Sequence, residues 1–68
     1  MKNIYLASFR QENNLTMDEM SEKIGISKSF YEKIESGKRQ PSYNFIMKFK
    51  EVFPSADVNC ILNPTQNV

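Results

Sequence analysis

Between Lys28 and Lys33, five side chains fall on the outward side of a helical pattern: Lys28, Ser29, Phe30, Glu32 and Lys33. Lysine donates to the O6 and N7 acceptors of guanine, serine donates or accepts, glutamate accepts from the N4 amino group of cytosine, and an aromatic ring can touch a thymine methyl or a sugar. Just beyond them, Lys38, Arg39 and Gln40, with Ser27, Ser36, Ser42 and Tyr43 around them, offer donors of the kind that hold phosphate oxygens without reading sequence. Each has a plainer reading. Lys28 and Lys33 can contact phosphate only, Glu32 can pair with a neighbouring lysine, Phe30 can be partly buried core, and the 38–40 loop can be simply solvated.

Other chemistries have little to draw on. The chain has no His, and its single cysteine, Cys60, stands in an apolar context without an obvious base. A nucleophilic site or a metal cluster therefore cannot be assembled at any familiar spacing, and the expectation is a non-enzyme with no cofactor and no metal. One cysteine also allows no internal disulfide, which points to a reducing cytoplasm. Met1-Lys2-Asn3 is followed by a broken apolar pattern with Arg10 inside it, and no apolar run reaches membrane-spanning length. No secretory leader and no membrane span are expected.

Stepping outward, 68 residues leave room for one small domain, and 40% hydrophobic with 25% charged residues are the proportions of a globular chain rather than a disordered one. The net charge of +1 says little, but its distribution says more. From Glu12 to Glu22 every charge is acidic (Glu12, Asp18, Glu19, Glu22), whereas from Lys28 to Arg39 basic residues prevail (Lys28, Lys33, Lys38, Arg39) over Glu32 and Glu35. The basic side would face an anionic polymer.

The elements follow from periodicity and punctuation. A first helix is expected over Asn3–Asn13, with Leu6 and Phe9 turned inward and Tyr5 on the same face. Asn13-Asn14 marks a turn. Thr16 then caps a second helix, with Glu19 completing a capping box. Met20, Ile24, Ile26, Tyr31 and Ile34 supply apolar positions across the next stretch, Ser21 is small where two helices cross, and Gly25 sits where a positive φ ends the second helix. Ser27 caps a third helix, Lys28–Ser36, which stops at Gly37. After the polar, basic Lys38-Arg39-Gln40-Pro41 loop, Ser42 caps a fourth helix over Tyr43–Val52. Its stripe of Phe45, Ile46, Phe49 and Phe53 reads as core rather than a ligand site. Asp57–Leu62 forms a short fifth helix, and 63–68 a polar, frayed tail. The second and third helices have the spacing of a helix-turn-helix, a pair that can set its second helix in a major groove about 12 Å wide.

Leu6, Arg10, Leu15-Thr16, Gly25-Ile26-Ser27, Ile34-Glu35, Gly37, Arg39 and Pro41-Ser42 together resemble the Cro/Xre type of lambda-repressor-like DNA-binding domain. The resemblance covers most of the chain, including the closing F-P-S-A-D-V-N-C-I-L. It implies an all-α, compact five-helix bundle over residues 1–62 and sequence-specific binding to double-stranded operator DNA. It further implies regulation of transcription, commonly as a homodimer, and an ion pair between Arg10 and Glu35 tying the first helix to the third. Three positions depart from the family pattern. Met17 stands where a glutamine usually holds a phosphate, Ser21 where alanine is usual, and Cys60 where a tryptophan is frequent.

The resulting expectation is a cytoplasmic transcriptional regulator, a repressor on a palindromic operator, pairing through Val58, Cys60, Ile61 and Leu62. The alternative is an antitoxin or other partner-binding module of the same fold, its partner a toxin or an anti-repressor. The acidic Glu12, Asp18, Glu19 and Glu22 could serve such a partner.

Overall fold

Each helix begins on a side chain that accepts a hydrogen bond from its first turn. In the computed structural model, which describes residues 2–63, these are Asn3 before α1 (Ile4–Glu12), Thr16 before α2 (Met17–Ile24) and Ser27 before α3 (Lys28–Glu35). Ser42 precedes α4 (Tyr43–Val52) and Asp57 precedes α5 (Val58–Leu62). At Thr16 the capping box closes in both directions, Glu19 N donating to Thr16 Oγ1 at 3.1 Å and Thr16 N to Glu19 Oε1 at 2.9 Å. The expected bounds shift by one residue at several ends. Asn3, Asn13, Ser36 and Asp57 are caps rather than helical residues, because their short polar side chains or turn dihedrals serve the helix end better from outside it. Of the tail 63–68, residues 64–68 lie outside the described residues.

Both helices of the helix-turn-helix stop in the same way. Gly25 (φ +80°) lets Ile26 N reach back to Ser21 O at 3.0 Å, and Gly37 (φ +87°) lets Lys38 N reach Lys33 O at 2.9 Å. In each case the glycine's own N–H closes the shorter loop, to Glu22 O and to Ile34 O. This paired closure satisfies the last carbonyls of α2 and α3 and turns the chain sharply, which only a residue at ease with positive φ allows.

The architecture is all-α: among the described residues there are five helices and no strand. α2 packs on α3 and α4, α1 on α3 and α5, and α4 on α5. Their inward stripes meet in one core of Leu6, Met20, Ile24, Tyr31, Ile34, Phe45, Phe49, Ala56 and Ile61. Aromatic rings run through it in contact, from Tyr31 to Phe45 (6.2 Å), Phe49 (5.9 Å), Phe9 (5.3 Å) and Tyr5 (5.8 Å). Phe53 closes the cluster against Phe9 and Phe49. At the far end, Tyr5 Oη accepts from Asp57 N at 2.9 Å, so the aromatic series reaches the cap of α5.

Ile61 belongs to this core, with none of its surface exposed. Its expected role in pairing is therefore corrected: a short helix on a small bundle can present only one side outward, and Ile61 is on the other. Asn3 is a clamp that the periodicity did not reveal. Its backbone N donates to Glu35 O (2.7 Å), its Nδ2 to Ile61 O (3.0 Å), and its Oδ1 accepts from Leu6 N (3.0 Å), so one residue ties α1 to α3 and α5. Met17, where the family resemblance expects a phosphate-holding glutamine, is half-buried and packs on the core edge. No helix among the described residues is long and apolar enough to cross a membrane.

Candidate nucleic-acid interface

α3 is fixed from within before it presents anything outward. Tyr31, Ile34 and Glu35 share its inner face and are buried, which leaves Lys28, Ser29, Glu32 and Lys33 exposed on the other side. Glu35, with its side chain only 1% exposed, is satisfied by three donors. Arg10 Nε donates to Oε1 at 3.0 Å and Arg10 Nη2 to Oε2 at 3.1 Å, a bidentate pair, and Tyr31 Oη donates to Oε1 at 2.7 Å. The remaining reach of Arg10 goes through Nη1 to Leu15 O at 2.9 Å, fixing the loop that leads into α2. The expected Arg10–Glu35 pair is present.

Both partners of Glu35 have their pKa raised, for different reasons. Hydrogen bonding to Glu35 raises the Arg10 pKa above its ordinary value, so the guanidinium stays charged throughout the usual range. Burial, reinforced by the hydrogen bond to Glu35 and by its negative charge, pushes the Tyr31 hydroxyl well above the ordinary tyrosine value. The tyrosine therefore stays a donor. Tyr31 reads from the sequence as an inward apolar residue, and the sign of its further role as a donor is its spacing of four from Glu35 on one helix.

The outer face carries its own contacts. Lys28 Nζ lies 3.6 Å from Asp18 Oδ2 on α2, with both side chains more than half exposed, so the acidic stretch abuts the start of α3 instead of forming a separate surface. Such an exposed pair is weak and leaves the lysine free to swing to an acceptor. Phe30 is half-buried and packs on the core, and the Arg39 guanidinium lies over its ring at 5.2 Å from the centroid. The plainer reading of Phe30 as partly buried is thus the one its position supports.

Lys38, Arg39, Gln40, Ser42 and Tyr43 are all exposed, and the N–H groups of Tyr43 and Asn44 stand in the first turn of α4, where no carbonyl of that helix reaches them. The three serines differ in what they can still offer. Ser27 Oγ and Ser42 Oγ accept from Phe30 N and Phe45 N, both at 3.1 Å, and keep their own proton to donate. Ser36 Oγ donates to Lys33 O at 3.2 Å, so its one proton is already committed. A phosphate oxygen only accepts, so Ser36 would have to release Lys33 O before donating to one.

The outward side of α3, the basic loop whose Arg39 lies over Phe30, and the open start of α4 are the kinds of group that suit a groove flanked by phosphates. Among known families, the helix-turn-helix model matches residues 6–55. No curated protein and no solved structure matches the chain. Gly25 at the turn, the buried Tyr31, Ile34 and Glu35 of α3, and the matched span agree. The chain belongs to the helix-turn-helix family of Cro/Xre type, whose members are DNA-binding regulators rather than enzymes.

Proposed function

We propose that this regulator is a repressor that binds a palindromic operator as a homodimer, with Lys28, Ser29, Glu32 and Lys33 meeting base edges in the major groove. Lys38, Arg39, Gln40, Ser27, Ser42 and Tyr43 hold the flanking phosphates. The observation that carries the reading is the division of α3: an inner face locked by Glu35, Tyr31 and Ile34, and an outer face left exposed beside the 38–40 loop. Pairing runs through Val58, Cys60 and Leu62, of which Leu62 is 43% exposed, an apolar side chain that a second copy would remove from water.

The test is binding to duplexes from the protein's own locus, followed by fluorescence anisotropy with competitor DNA at two salt concentrations. Specific binding survives competitor and weakens as salt rises, since lysine and arginine contacts release counterions. Lys28→Ala and Ser29→Ala relax sequence preference, whereas Arg39→Ala weakens all duplexes alike. Equal losses on specific and random DNA for all three variants would overturn the assignment of the reading face.

A further inference from the structure

Phe30 and Arg39 come from different elements, the first turn of α3 and the loop after it, yet the guanidinium lies over the ring at 5.2 Å. That is within the roughly 6 Å over which a cation is attracted to an aromatic face. The loop is brought there by its own backbone, since Lys38 N and Arg39 N both donate to Lys33 O, at 2.9 and 3.1 Å. A guanidinium has five N–H donors, and a ring face engages the cation without taking up all of them, so donors remain with which a phosphate can be held in bidentate fashion. The ring, for its part, packs on the core and carries the cation, which leaves little of it for a thymine methyl.

We propose that Phe30 is a positioning residue for the DNA contact: its ring holds the Arg39 guanidinium against the reading helix, ready for a backbone phosphate. The contact couples the element that reads bases to the loop that grips the strand. A free arginine must give up rotamer entropy when it docks. One already held over a ring gives up less. This inference rests on the DNA-binding reading above and assigns Phe30 a role different from base contact.

Phe30→Leu keeps an apolar residue at the half-buried site, and Phe30→Tyr keeps the ring face. On a locus duplex and a random duplex of equal length, Phe30→Leu lowers affinity by about two- to fivefold on both, the worth of an exposed cation–π contact. Phe30→Tyr restores binding, and in an Arg39→Ala background Phe30→Leu costs nothing further. On the free protein, the Arg39 Nε–H proton shows an upfield ring-current shift in NMR that Phe30→Leu abolishes, with the circular dichroism unchanged. A loss that is the same with and without Arg39, or a loss confined to the locus duplex, overturns the proposal in favour of a packing or base-reading role. An Arg39 Nε–H shift unaffected by Phe30→Leu also overturns it. Failure of the unaltered protein to bind either duplex overturns it together with the DNA-binding reading, and a persisting ring-current shift then locates the failure in that reading.

Discussion

At the scale of single residues, the greatest commitment is the carboxylate of Glu35, enclosed in the bundle and held by Arg10 and Tyr31. Removing its charge strands the guanidinium of Arg10, whose side chain is only 14% exposed. Glu35→Gln is expected to destabilise the fold by about 3 kcal/mol, the low end of the cost of breaking a buried pair, read from urea denaturation midpoints. Tyr31 makes a different prediction. Its folded pKa lies above the unfolded value of about 10, so at alkaline pH the folded chain keeps a proton that the unfolded chain has lost. The stability this contributes is complete below pH 10 and is lost as pH climbs from there towards the folded pKa. Tyr31→Phe is expected to be less stable than the parent by about 1 kcal/mol near pH 8, the worth of one hydrogen bond, with the gap narrowing by pH 11. Denaturation curves at the two pH values check this; a constant gap would count against it.

At the scale of elements, helix starts and stops were legible because they depend on a few local residue types. Thr16 with Glu19, Ser27 and Ser42 each cap the helix their spacing announces, and Gly25 and Gly37 both adopt the left-handed conformation at the ends of α2 and α3. A Cβ built on Gly25 meets nothing within 4 Å, so any penalty for substitution is conformational rather than steric. Gly25→Ala is expected to cost about 1 kcal/mol, lowering Tm by about 4–8 °C, and Gly25→Asn less, because asparagine tolerates the left-handed region better. Equal melting temperatures for the two variants would refute that reasoning. What local pattern did not disclose was the use of residues between elements. Asn3 was expected inside α1, yet its value lies in the contacts it makes to α3 and α5, far along the chain. Phe30, at the edge of the apolar pattern, was read as outward, but Arg39 and the core divide it between them.

At the scale of the whole molecule, size limits what one copy can do. The described residues span 29 Å at their longest, shorter than the roughly 34 Å that separates successive major-groove faces, and carry one helix-turn-helix. A palindromic operator of the kind proposed would call for two copies. Burial of Ile61 confines the proposed pairing surface to Leu62 with the half-buried Val58 and Cys60. Leu62→Glu is expected to leave the fold intact and to halve the number of chains bound per operator, from two to one, as read by light scattering of the complex. One chain per operator for the unaltered protein would remove the case for a dimer.

The chain's own order of residues settled whatever is short-ranged: five helices, the caps of α2, α3 and α4, the glycine stops, the inward stripes, and the outward Lys28, Ser29, Glu32 and Lys33 on α3. These follow because caps, left-handed turns and a 3.6-residue period act within a few positions of one another. Tertiary structure alone decided which partners distant residues meet. Asn3 ties α1 to α3 and α5, Ile61 sinks into the core, Asp18 approaches Lys28, and Arg39 lies on Phe30. Each of these depends on how helices cross and how loops return. No periodicity along a single helix carries that information.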